Sequence, residues 1–99
     1  MNSELRIKLF AIYQKAADYI NNAEPESTQL DIINEAAAVV VDNLEELEEA
    51  PDVQHILGKC LLYINKDFED GVNPTLEEYI DMGYELVEEL SGFLGAFFE

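Results

Sequence analysis

Residues 28–50 read TQLDIINEAAAVVVDNLEELEEA, and this stretch decides the fold. Its apolar positions Leu30, Ile33, Ala37, Val40, Leu44 and Leu47 recur at spacings of 3-4-3-4-3. Such spacing lays a continuous stripe along one side of a helix. The acids Asp31, Glu35, Asp42, Glu45, Glu46, Glu48 and Glu49 all fall off the stripe, and the stretch holds no Lys or Arg. The pattern predicts one long helix with an apolar seam inward and a bare carboxylate face outward. Val39, Val40 and Val41 have poor intrinsic helix propensity, but the period on both sides of them is 3.5 and not 2. Ser27 or Thr28 is the expected N-cap, and Thr28 with Asp31 has capping-box spacing. Pro51 sets the end, because the residue before a proline leaves the helical region.

The rest of the chain offers partners for that seam. Residues 3–21 form a first expected helix, capped by Asn2 or Ser3, with Leu5, Leu9, Ile12, Tyr13, Ala16, Tyr19 and Ile20 on one face. Ile7, Phe10 and Ala17 widen its apolar surface, which suggests burial on more than one side. Asn21 to Ser27 is read as a loop broken by Pro25. A third helix is expected over residues 52–66, with Asp52 as N-cap or first-turn acid. Val53, Ile56, Leu57, Cys60, Leu61 and Ile64 form its inner face, extended by Leu62 and Tyr63.

A second loop follows, with Gly71 at its turn and Pro74 expected in the first turn of the next helix. Thr75 and Glu78 match a capping box. The fourth helix is expected over residues 75–91. Leu76, Tyr79, Ile80, Gly83, Leu86, Val87 and Leu90 line its inner face. Gly83 within that face marks a close helix contact, at a cost of roughly 1 kcal/mol against Ala. The tail from Gly92 to Phe98 is apolar and reads as further helical turns on the core. Phe93 and Leu94 are expected inside and Phe98 partly exposed. A Phe-rich contact with a second copy of the chain is the alternative use of that tail.

At 99 residues the chain is expected to form a single all-α domain over 1–99, a compact, mainly antiparallel four-helix bundle. Apolar residues make up 48%, enough for a core despite the charge. One cysteine excludes an internal disulfide. No signal-peptide pattern and no apolar run of membrane-spanning length is present, so a cytoplasmic location is expected.

The charge is the strongest functional signal. The formal net charge is −17, far above the magnitude of about 2–8 that suits a small domain. The first 23 residues sum to +1 and the remaining 76 to −18. Residues 21–58 contain ten acids and residues 67–99 another ten, with no Lys or Arg in either stretch. Direct binding to nucleic acid or to an anionic membrane is therefore disfavoured. Arg6, Lys8 and Lys15 are expected to dock beside the acidic helices.

Sites for chemistry are sparse. Asp70, Gly71 and Glu77 have partial calcium-loop spacing, but Lys66 and Phe68 stand where ligands are required. His55 lacks enough co-ligands for a metal site, and Cys60 lies on an apolar face. Glu46 with Glu49, and Glu78 with Asp81, resemble the Mg²⁺-binding pattern of all-α nucleotide pyrophosphohydrolases. Neither helix supplies the cations that would hold a nucleotide's phosphates, so no cofactor, metal or catalytic residue is assigned.

On helices, acids at i, i+3 and i+4 share a face. The candidate partner-binding set is Asp42, Glu45, Glu46, Glu49, Glu77, Glu78, Asp81, Glu85, Glu88 and Glu89. The expected function is inhibition by charge mimicry, as in anti-restriction or anti-CRISPR proteins. The carboxylate array would occupy the basic surface of a nucleic-acid-binding protein. A toxin-immunity protein that caps a basic nuclease and an acidic adaptor subunit are the alternatives.

Overall fold

The computed structural model describes residues 2–22 and 25–98. Five helices occur in order: α1 (Ser3–Asn22), α2 (Glu26–Asp42), the single turn α3 (Leu44–Leu47), α4 (Pro51–Ile64) and α5 (Leu76–Phe98). No strand occurs among the described residues. Four of the helices are longer than two turns and close into an antiparallel ring. Tyr19 and Lys15 of α1 meet Gln29 and Glu35 of α2. Tyr63 of α4 meets Tyr79 of α5, while Lys59 meets Glu89. Phe10 of α1 meets Phe98, while Tyr19 meets Tyr84. In each pair, positions rising along one helix meet positions falling along the next.

The ring is flattened along one diagonal. Among the described residues the backbones of α2 and α5 approach closely across the bundle, whereas those of α1 and α4 stay farther apart. Small residues permit this. Ala36 and Ala37 lie on the inner face of α2, and Gly83 lies buried on α5. A Cβ at Gly83 would overlap the Gln29 amide and the Tyr63 hydroxyl, so the close approach expected there is present.

A polar knot sits at this crossing. Gln29 is 4% exposed. It accepts a hydrogen bond from the Tyr19 hydroxyl at 2.9 Å and donates its amide to the Ile80 carbonyl at 3.0 Å. Tyr63 and Tyr79 stack with ring centroids 4.2 Å apart, and each donates its hydroxyl to the other's backbone carbonyl. Among the described residues no buried side-chain nitrogen or oxygen lacks a partner. Buried polar groups satisfied in this way add specificity to a core, whereas an unpaired one costs about 1–3 kcal/mol. Burial, with the Tyr79 ring and hydroxyl alongside, also holds the Tyr63 phenol well above its ordinary pKa.

The organising stretch differs from its expected form. Residues 28–50 are not one helix: α2 ends at Asp42, and α3 and a turn follow. Asn43 makes the break. Its backbone N–H and its side-chain Nδ2 both donate to the Val39 carbonyl, at 3.1 and 3.0 Å. The backbone bond is the last rung of the α2 ladder, while the side chain takes a share of the same carbonyl, the competition that asparagine offers a helix. It does so two residues after the last of three poor helix formers. The seam is also rotated. Leu30 and Leu44 are 44% and 57% exposed, while Gln29, Ile32 and Ala36 face inward with Ile33, Ala37 and Val40. The knot at Gln29 sets that rotation. The helix begins at Glu26 behind Pro25, with no side-chain cap, so neither Ser27 nor Thr28 caps it.

Other ends follow the local chemistry. Asn2 Oδ1 accepts the Leu5 N–H at 2.8 Å and caps α1. Pro51 opens α4, with Asp52 in the first turn. Thr75 and Glu78 exchange the two bonds of a capping box at 3.2 and 3.3 Å. Pro74 therefore lies just outside α5, not within its first turn. Leu76, expected inside, is 76% exposed, whereas Tyr79 of the same turn packs against the core. Of the residues expected to widen the buried surface of α1, Ile7 is exposed, whereas Ala17 is half-buried and Phe10 packs edge to face on Phe98.

The tail extends α5 without a break to Phe98. Leu94 is fully buried and Phe98 half-buried, as expected, but Phe93 is 39% exposed. Along a helix, Phe93 sits about 100° from Leu94, and Leu94 takes the inward direction. Phe97 and Phe98 pack edge to face, and Phe98 meets Phe10 and Tyr13. The Arg6 guanidinium lies 5.5 and 5.8 Å from the centroids of the Phe97 and Phe98 rings.

Candidate functional site

The inner face of α5 is Gly83, Leu86, Val87, Leu90 and Leu94. Glu77, Asp81, Glu85 and Glu88 lie almost diametrically opposite on the same helix, and all four are exposed. The helix is continuous, so these acids form a straight ladder with steps of about 4.5–6 Å. Among the described residues none of the four carries an ion pair. Glu78 and Glu89 flank the ladder with different local duties. Glu78 closes the capping box, and Glu89 accepts a 2.8 Å bond from Lys59 of α4.

The second half of the candidate set is arranged differently. Asp42 ends α2, Glu45 and Glu46 belong to α3, and Glu49 lies in the turn that follows. The break at Asn43 separates them, so the i, i+3, i+4 geometry expected for one helix does not hold. Glu46 is half-buried and accepts bonds from the Asn2 backbone N–H at 3.2 Å and from Asn2 Nδ2 at 2.7 Å. It ties α3 to the start of α1. This group clusters near one end of the bundle rather than along a face.

The cations mostly lie against acids or rings. Lys15 reaches both carboxylate oxygens of Glu35 at 2.8 Å, Lys8 lies 3.7 Å from Glu4, and Arg6 covers the terminal phenylalanines. Lys15 thus docks beside the acidic α2 as expected, whereas Lys8 pairs within its own helix.

A cleft of about 310 Å³ opens between α4, α5 and residues 67–69. Leu62, Tyr63, Phe68, Met82 and Leu86 form its apolar lining, and Asp67, Glu69, Glu85 and Glu89 stand around it with Lys59. Periodicity predicts an inner-face position for Leu62, and Phe68 falls in the expected loop. The available signal was a leucine one position off the Val53–Ile56–Cys60 face, facing another helix's Met82 and Leu86.

Chemistry is limited to what side chains can do by contact. Cys60 is fully buried, and desolvation pushes its thiol up to about 12 despite neighbouring Lys59, so thiolate nucleophilicity is suppressed. His55 is exposed on α4. Among the described residues no three His, Cys, Asp or Glu side chains converge as a metal-ion site, and no helix is long and apolar enough to cross a membrane. Compared with protein-family models, with curated proteins and with solved structures, the chain matches none of them.

Proposed function

We propose that this protein is an acidic inhibitor that occupies the basic, nucleic-acid-binding surface of another protein and blocks its substrate. The observation that carries this reading is the α5 ladder of Glu77, Asp81, Glu85 and Glu88, exposed on a helix that contains no Lys or Arg. Duplex DNA carries about one charge per 1.7 Å of axis. The ladder is sparser but likewise linear and of one sign. Its partner would be a nuclease or other nucleic-acid-binding protein with a basic channel.

The test is a displacement titration. A basic protein captured from the native host is loaded with fluorescent duplex DNA, and this chain is titrated in. DNA release is expected, with an affinity that falls steeply between about 0.05 and 0.5 M NaCl as the charges are screened. Capture only of partners without a basic surface, or affinity indifferent to salt, contradicts the proposal.

A further inference from the structure

The cleft between α4, α5 and residues 67–69 has the anatomy of a protein-binding site, an apolar centre within a charged rim. Its lining is apolar and its margin is acidic: four carboxylates against one lysine, and that lysine is already paired with Glu89. Leu62 is 48% exposed beside it. Phe68 is set edge-on to Tyr79, with ring centroids 6.2 Å apart, and Tyr79 is itself stacked on Tyr63. One wall is therefore held in place. Half-buried Met82 supplies an unbranched, polarizable side chain that adapts to varied apolar shapes. Glu85 belongs both to this margin and to the α5 ladder.

The geometry points to this cleft as the anchor for a basic amphipathic helix of the partner, which inserts an apolar side chain between Leu62, Phe68 and Met82 while its Lys and Arg side chains meet Asp67, Glu69 and Glu85. The inference deepens the charge reading above and rests on it. Charge alone gives attraction and speed of encounter, whereas a desolvated apolar pocket gives residence. Charge complementarity selects this occupant: an acidic or neutral apolar segment would meet an unfavourable margin. Helix-in-groove recognition uses the same arrangement of apolar anchors spaced along one helix face.

The probe is a synthetic amphipathic peptide of about 20 residues, with Leu at i, i+3, i+4 and i+7 and Lys or Arg elsewhere. The control is an isomer of the same composition with the leucines scattered. Binding to the full chain is read by fluorescence anisotropy and by methyl NMR shifts. The amphipathic peptide is expected to bind about tenfold more tightly than its isomer, with shifts centred on Leu62, Met82 and Leu86. Leu62→Ser and Phe68→Ala, at an exposed and a half-buried position, should each remove most of that advantage, with helicity by circular dichroism unchanged. Equal binding of the two peptides, with quiet cleft methyls, overturns the anchor and leaves the charge reading standing. Failure of both peptides to bind at about 0.05 M salt overturns the anchor as well, and the displacement titration then judges the charge reading by itself.

Discussion

Residues 42–49 and the first half of α5 have nearly the same sequence pattern: carboxylates at helical spacing with no cation among them. Their structures differ. In α5 the acids stay in line, because Gly83, Leu86, Val87, Leu90 and Leu94 hold one helix against the core without interruption. In residues 42–49 the line is cut at Asn43, and Glu46 is used to fasten α3 to Asn2. Acidic spacing becomes a ladder only where the opposite side of the helix is packed. The α5 ladder is therefore a property of the core as much as of the acids.

The largest expected effect comes from breaking what holds α5 in place. Gly83→Leu would drive a side chain into Gln29 and Tyr63. Overpacking and a lost buried hydrogen bond together should cost about 3–5 kcal/mol, enough to unfold much of the protein in thermal or urea denaturation. Gly83→Ala is the sharper version: it gains helix propensity of about 1 kcal/mol and should still destabilise. Stabilisation would mean that the knot is loose.

Leu94→Ala should cost about 2–5 kcal/mol, whereas Phe93→Ala, one position away, should cost less than about 1.5 kcal/mol. Urea midpoints of the two variants check this directly. Equal losses would show that the last turns of α5 are not oriented as described.

Much of the fold is legible in the chain before any coordinates, and the reasons are local. Thr75 and Glu78 announce the start of α5 because a capping box needs only four residues in sequence. The faces of α1 and α4 follow from periodicity because each buries a single apolar stripe. The rotation of α2 is not legible in this way. It depends on Gln29 finding Tyr19 and the Ile80 carbonyl, partners ten and 51 residues distant. Periodicity counts a glutamine as an outward residue. The break at Asn43 is a contest between one asparagine and a helix of marginal propensity, and the apolar pattern runs through it. Outward exposure of the α5 acids is legible; the grouping of Asp42, Glu45, Glu46 and Glu49 at one end of the bundle, instead of in line on one helix, is not, because it follows from that break. The cleft was hidden for a different reason: Leu62, Phe68 and Met82 come from three separate segments.

Alkaline pH tests the core beneath the two acidic regions. The Cys60 thiol is pushed up from 9.0 to about 12 by burial, and the Tyr63 phenol is also raised. Both groups are neutral when protonated, and the folded state favours that form. Their contribution to stability is complete below the unfolded-state values and is lost as pH rises through the folded ones. Stability is thus expected to decline between about pH 9 and pH 12. Thiol titration with a disulfide reagent near pH 8 should be slow until denaturant is added. Fast reaction of the folded protein would contradict the burial of Cys60.

The smallest effect is electrostatic. Asp81→Asn, Glu85→Gln and Glu88→Gln together remove all three like-charge steps of the ladder, each worth about 0.2–0.5 kcal/mol of repulsion. The triple variant should melt slightly higher than the parent in low salt. Added NaCl should raise the parent's melting temperature, since the Debye length falls from about 30 Å at 0.01 M to about 8 Å at 0.15 M. Neutralising Asp42, Glu45 and Glu46 should not stabilise comparably, because Glu46→Gln keeps only one of the two oxygens that accept from Asn2.

The most direct test compares these two triple variants in the DNA-displacement titration. Neutralising Asp81, Glu85 and Glu88 should weaken displacement by about tenfold or more, and neutralising Asp42, Glu45 and Glu46 by no more than about threefold. Equal losses, or a larger loss from the second set, would contradict the claim that the continuous α5 ladder is the surface that competes with nucleic acid.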